Sequence, residues 1–208
     1  MRYFSSKADW IYKPVDIEPG RLTAISHESL QALKIIEYKN QHKLKNELHS
    51  YWNQEFYNQH TPMLMAWLEE LEIKKYFLGC IYTACEANKQ LSIHIDSTQI
   101  SKIPGTKINL LVPVSNCKNS WTVWHDADIL EQPLPEFHKG KNYARNCDPT
   151  TAVEVARFES IVPYWFNAVI PHQPVTGELE QPGRRIVVSL RFDNNLLLDE
   201  NIKSYYMP

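Results

Sequence analysis

Hydrophobic and polar positions fall into two textures along the chain, helical before residue 75 and alternating or strand-like after it. In the first, Leu30, Leu33, Ile35 and Ile36 recur at helical spacing behind Ser26, a capping hydroxyl, with Glu28 in the first turn. A polar continuation rich in Lys, Asn and Gln predicts one long amphipathic helix running toward Tyr51. Thr61-Pro62 marks a second helix start, a capping hydroxyl followed by Pro at the first helical position, with Met63, Met65, Trp67, Leu68 and Leu71 as the packing stripe. Upstream, Arg2 to Phe4 and Arg21 to Ile25 read as short extended segments separated by a Pro-containing stretch.

The second texture predicts strands at Tyr76 to Tyr82, Gln90 to Ile95, Lys107 to Val114, Ser120 to His125, Ala156 to Ile161, Trp165 to Ile170 and Arg185 to Phe192. Turn residues at Ile103-Pro104-Gly105, Ser115 to Asn119 and Gln181-Pro182-Gly183 suit an antiparallel double sheet or jelly roll better than parallel βαβ units. The expected fold is therefore α+β. Residues 1–75 supply N-terminal strands and supporting helices, 76–193 a jelly-roll core and 194–208 a C-terminal tail, in a single domain spanning 1–208. Residues 126–150, long and polar with Pro breaks, are the candidate lid loop.

Composition narrows the function classes. At 43% apolar and 22% charged, with six Trp and eleven Tyr, the chain has the makings of a folded core. A net charge of -2 supplies no broad basic field, which disfavours nucleic acid as a partner without excluding a local groove. No apolar run approaches the roughly 20 residues of a membrane span, and no signal peptide is apparent, so the expectation is a cytoplasmic protein with no membrane partner. Cys80, Cys85, Cys117 and Cys147 lack paired spacing and are expected to be reduced thiols.

Chemistry concentrates at three places. His94 and Asp96 stand two apart on an expected strand and so share a face, whereas the neighbours His125 and Asp126 point to opposite faces and make no metal pair. His172, in Val169-Ile170-Pro171-His172, ends an aromatic-rich strand. Two neutral imidazoles and one carboxylate on one face of a metal leave its other positions open, an arrangement suited to non-haem Fe(II) activating O₂ beside a chelating co-substrate. On the last strand, Arg185, Val187, Ser189 and Arg191 share one face, and Ile186, Val188, Leu190 and Phe192 the other. The two arginine Cα atoms lie roughly 20 Å apart, close enough for both side chains to address opposite ends of one small dicarboxylate. Arg191 has the further possibility of a structural ion pair with an acidic side chain.

With its ordered His94-x-Asp96, His172 and Arg185, the C-terminal two-thirds of the chain resembles the Fe(II)/2-oxoglutarate-dependent dioxygenases. The resemblance implies a double-stranded β-helix of cupin-like type. It also implies Fe(II) on His94, Asp96 and His172, 2-oxoglutarate as co-substrate on Arg185, and O₂ as oxidant. The Arg185, Ser189, Arg191 spacing is similar to the last core strand of the alkylation-repair demethylases, where both arginines contact 2-oxoglutarate; Tyr82 and Asn109 are the corresponding candidates for additional hydrogen bonds to it. Asp96 stands where family halogenases carry a small residue, so the resemblance implies hydroxylation or oxidative demethylation of an amino acid, peptide or protein side chain, or small metabolite. Two other readings stay open: a non-catalytic jelly-roll binding module, and a cupin-like metalloenzyme with no need of Arg185. Nothing in the sequence sets the oligomeric state.

Overall fold

The computed structural model describes residues 11–39, 48–51, 53–96, 108–130 and 145–199. Three α-helices precede most of the strands: α1 (Pro19–Lys39), α2 (Gln54–His60) and α3 (Pro62–Glu70), with β1 (Tyr12–Pro14) and β2 (Leu48–Tyr51) interspersed. The later strands are β3 (Phe77–Cys85), β4 (His94–Ile95), β5 (Ile108–Ser115), β6 (Ser120–Asp126), β7 (Arg145–Asn146), β8 (Val153–Glu159), β9 (Tyr164–Asn167), β10 (His172–Thr176) and β11 (Arg185–Phe192).

The helices begin and end for reasons that differ from the sequence expectation. Glu18 accepts hydrogen bonds from the backbone N–H groups of Gly20 and Arg21 at 2.8 and 2.7 Å, satisfying two donors that a helix start leaves orphaned. Arg21 to Ile25, expected to be extended, is therefore helical. Ser26 lies inside α1 and donates to the Pro113 carbonyl at 2.8 Å, tying the helix to β5 instead of capping it. The helix stops at Lys39, and Leu48–Tyr51 pairs with β3 as an edge strand where continued helix was expected. Asn53 caps the unforeseen α2 through Phe56 N. Thr61-Pro62 does open α3, although the Thr61 hydroxyl donates back to Tyr57 O at 2.9 Å and caps nothing.

Two antiparallel sheets form the rest. One has six strands in the order β1-β9-β5-β11-β3-β2, the other five in the order β7-β4-β10-β6-β8. From β3 to β6, and again from β8 to β11, successive strands alternate between the sheets, so each connection crosses from one layer to the other. Strand β11 shows the result. Ile186, Val188, Leu190 and Phe192 enter the apolar core under the helices, with Leu64, Leu68 and Tyr57. Val187 joins Trp124, Tyr164 and Phe166 in the second core, between the sheets. The alternation read from the sequence therefore holds, and Arg185, Ser189 and Arg191 face the space between the sheets with Val187.

Several boundaries are corrected. His172 opens its own strand, β10, and does not end the preceding one; Pro174 lies within β10, opposite Thr122 of β6. Within Gln90 to Ile95, only His94–Ile95 forms a ladder, with Gln90 making an isolated bridge to Val175. Of the candidate lid at 126–150, residues 131–144 lie outside the described residues, as do 200–208 of the tail and Arg2 to Phe4. The flanks of the lid segment are pinned by β7 against β4 and by an Ile129 to Cys147 bridge. All four cysteines are buried thiols outside any disulfide. No helix among the described residues is long and apolar enough to cross a membrane.

The helix layer supports β11 from behind, so its packing should be felt in stability. Leu64 is fully buried in that core, whereas Tyr38 is 74% exposed. Leu64→Ala should cost about 2–5 kcal/mol in chemical denaturation, and Tyr38→Ala no more than about 0.5 kcal/mol.

Candidate metal centre

The pleat of β4 carries His94 and, just past its end, Asp96 to one face, and antiparallel pairing places His172 of β10 directly opposite His94. One potential ligand atom from each of these three side chains lies within 4.8 Å of the others. His94 Nε2 is 3.6 Å from Asp96 Oδ1, and His172 Nε2 is 3.8 Å from Asp96 Oδ2. Both separations are below the span of two bonds of about 2.1 Å each, so one ion fits between them with little rearrangement.

The surrounding hydrogen bonds prepare the atoms for that role. His94 Nδ1 lies 2.7 Å from the Ser92 carbonyl, and His172 Nδ1 lies 2.8 Å from the Ile170 carbonyl. A carbonyl only accepts, so each Nδ1 carries the proton and each Nε2 keeps its lone pair for a metal. Burial, and then the neighbouring His94, push His172 down to about 4, leaving it a neutral imidazole near neutral pH. For Asp96, burial alone would raise the carboxyl, but the charge of Arg191, with His172, His94 and the Arg191 hydrogen bond, holds it below its usual range.

Asp96 is itself clamped. Its Oδ2 accepts from Arg191 Nη1 at 2.7 Å and from Asn109 Nδ2 at 2.8 Å, both buried. Arg191 and Asn109 are Cα partners on β11 and β5, so the sheet register delivers both donors to one oxygen. The structure thus places Arg191 in the ion pair with Asp96, and Asn109 on the same carboxylate; neither contact was assigned to Asp96 in the sequence reading. Ser189 Oγ is buried on the same face and has no hydrogen-bond partner. Tyr82 is misplaced for a co-substrate contact: it pairs with Val188 and packs in the helix-side core, on the far side of the sheet.

Arg185 is fully buried at the other end of this face. Its Nη2 donates to Ser160 Oγ at 3.1 Å, while Nε and Nη1 have no partner. No carboxylate among the described residues pairs with it. Beside it, Ser160, Tyr164 and Thr122 form a hydroxyl chain, with Thr122 Oγ1 2.6 Å and Ser160 Oγ 3.3 Å from Tyr164 Oη. Three hydroxyl protons serve two bonds here, leaving another donor for a ligand. Sequence reading missed this chain because Thr122 and Tyr164 look like ordinary strand residues and Ser160 like a turn. On β6, Trp124 turns between the sheets, against Phe166, Tyr164 and Tyr12.

No family model matches the sequence. No curated protein matches it either. Solved structures give distant likenesses. The crystal structure of AviO1 from Streptomyces viridochromogenes Tue57 aligns at 11% identity over 88% of this chain and 90% of that one, with a TM-score of 0.44. HygX from Streptomyces hygroscopicus, with nickel and 2-oxoglutarate bound, aligns at 12% identity over 86% and 80%, TM-score 0.44. ThoJ, described as a non-heme monooxygenase in its apo form, aligns at 12% identity over 87% and 74%, TM-score 0.48.

Two outcomes follow from the geometry. A His172 value near 4 in the fold, against 6.5 for the free side chain, means that the unfolded chain binds more protons between those pH values. Metal-free protein should therefore lose stability progressively as pH falls from about 6.5 toward 4, and His172→Gln should flatten that part of a Tm-against-pH curve. Asn109→Ala frees Asp96 Oδ2 from one of its two donors and should weaken metal affinity by about 10–100-fold in a calorimetric titration.

Proposed function

We propose that this chain is an Fe(II)- and 2-oxoglutarate-dependent oxygenase that hydroxylates, or oxidatively demethylates, a C–H-bearing small molecule, amino acid or protein side chain. The observation that carries this reading is Arg185, a fully buried guanidinium with two unpartnered nitrogens, on the same strand face as the arginine that grips the metal-ligand carboxylate. A buried charge without a counter-charge is strongly unfavourable, and an anionic ligand spanning from Arg185 toward the His–Asp–His group removes that penalty. 2-Oxoglutarate suits both ends, with a carboxylate for Arg185 and a keto acid for the metal.

The fold supports the same reading. Two antiparallel sheets linked by strands that alternate between layers fit a double-stranded β-helix, and we take the described residues as one domain. His94, Asp96 and His172 would hold the metal by one edge and leave the opposite edge to ligands. When bound, Fe(II) with 2-oxoglutarate supplies oxidation by O₂: one oxygen atom enters the substrate C–H bond, the other enters succinate, and CO₂ is released. The protein's own contribution is positional. Arg191 and Asn109 fix Asp96, the Ser92 and Ile170 carbonyls fix the imidazoles, and the Trp124 and Phe166 rings shield the space between the sheets from water.

A cupin-like metalloenzyme would leave Arg185 without a ligand, and a binding module would have no use for two imidazoles poised with free Nε2 atoms around a carboxylate. Anaerobic titration of Fe(II)-loaded protein with 2-oxoglutarate separates the three readings. The expected result is a weak visible charge-transfer band, absent in Asp96→Ala for want of iron, and requiring at least about tenfold more 2-oxoglutarate in Arg185→Ala, whose lost contact is a charge-assisted one. Bound iron with no band would favour the cupin-like enzyme, and no bound iron the binding module.

A further inference from the structure

Asp126 ends β6, and neither the metal group nor the Arg185 pocket uses it. Along β6, Thr122 reaches Tyr164 and Trp124 packs with Phe166, both between the sheets. The β6–β8 register shifts between Trp124 and His125, with Val155 the extra residue on β8, so β6 keeps its own alternation: Asp126 falls on the inner face and His125 turns away, beside Glu154 and Gln173.

Register sets its height. Trp124 is the Cα partner of His172, so Asp126 lies one step past the metal-bearing level. The segment leading into His172 runs between two strand ends: His125 N donates to Pro171 O on one side, and Asp96 N donates to Ala168 O on the other, each at 2.8 Å. Asp96 and Asp126 therefore flank the same turn, two strand spacings or about 10 Å apart at their Cα atoms.

The two carboxylates are in opposite states. Asp96 Oδ2 is saturated by two buried donors. Asp126 as a whole is half-buried, but its Oδ1 is buried and accepts from no group among the described residues. An acceptor cut off from water without a donor is costly, and a carboxylate oxygen more so. At the Arg185 end of the same space the unsatisfied atoms are donors, Nε and Nη1, whereas here the unsatisfied atom is an acceptor.

We propose that Asp126 is the substrate-recognition residue, and that the molecule oxidised carries a cationic nitrogen, an ammonium or guanidinium, which docks on the Asp126 carboxylate and presents a nearby C–H to the metal. This inference rests on the oxygenase reading of the same site. A cationic N–H group supplies in one contact the hydrogen bond and the counter-charge that Asp126 lacks. The roughly 10 Å between Asp126 and Asp96 backbones leaves room for a C–H only a few bonds from that nitrogen.

The test uses Fe(II)-loaded protein with 2-oxoglutarate, kept anaerobic, and titrates matched probes: n-butylguanidinium against neutral n-butylurea, n-butylammonium against neutral 1-butanol, and methylguanidinium alone. Binding is read by calorimetry. Wild-type protein should prefer the charged member of at least one pair by about tenfold or more, and Asp126→Asn should lose that preference while Asp126→Glu keeps it. Because the carboxylate has no partner to lose, metal-free Asp126→Asn should melt at the wild-type temperature or above it. Equal binding of charged and neutral probes to wild-type protein would overturn the proposal. So would a preference that survives in Asp126→Asn, or a Tm several degrees lower in that variant, which would give the carboxylate a structural role. A wild-type preference for cations without any 2-oxoglutarate band would sink the co-substrate reading and leave Asp126 standing; a band without the preference would do the reverse.

Discussion

Two guanidinium groups carried by β11 into the space between the sheets are the constraint around which the site is arranged. The strand has to be apolar on one side, because Ile186, Val188, Leu190 and Phe192 fasten it to the helices, so its charges have a single direction in which to point. A buried guanidinium is tolerable only with a counter-charge and filled hydrogen bonds. Arg191 finds its counter-charge in Asp96, and by doing so fixes the carboxylate of the candidate metal group. Arg185 finds one serine hydroxyl. Folding therefore leaves an unmet electrostatic demand at one end of the pocket, and any anion that enters is favoured before its shape matters.

The same arrangement accounts for how finely the metal group is held. Each of its three side chains is oriented by a partner that is itself part of the backbone framework or clamped by it: carbonyls two residues before each histidine, and the Arg191 and Asn109 pair across β11 and β5. Little reorganisation is left for metal binding to bring about, which is the condition under which neighbouring hydrogen bonds matter most to affinity. The helix-side core serves this end. Tyr82, though unconnected to the pocket, packs behind β11 with Val188 and so helps hold the strand that carries both arginines.

Much of the centre was legible because strand periodicity is strict. His94 with Asp96, and Arg185 with Arg191, could be assigned to common faces from spacing alone, and the structure keeps those faces. What spacing does not encode is which strand lies beside which. The Arg191 and Asn109 clamp needs the β5 to β11 register, and the Ser160, Tyr164 and Thr122 chain joins two strands in different sheets with the turn that precedes one of them. Tyr82 went wrong for a related reason: its strand was identified, but not which of its faces met the helices. The helix starts failed locally, since Glu18 is an uncommon cap and Ser26, a common one, was drawn into a contact with Pro113 eighty-seven residues away.

The pocket then has a polarity along its length. Donors without acceptors gather at Arg185, and an acceptor without a donor lies at Asp126; between them, the histidines are oriented to leave lone pairs and the Asp96 charge is matched by Arg191. A ligand entering the wrong way round would set like against like at both ends, a cation on the fully buried Arg185 and an anion on Asp126. On the proposed reading, an anionic co-substrate and a cationic substrate are sorted by charge within the pocket. Arg185 is fully buried whereas Asp126 is only partly so, and on that reading the anion seats before the cation. With a net charge of only -2 the molecule has little long-range field to do this sorting, so the selection resides in these few buried atoms.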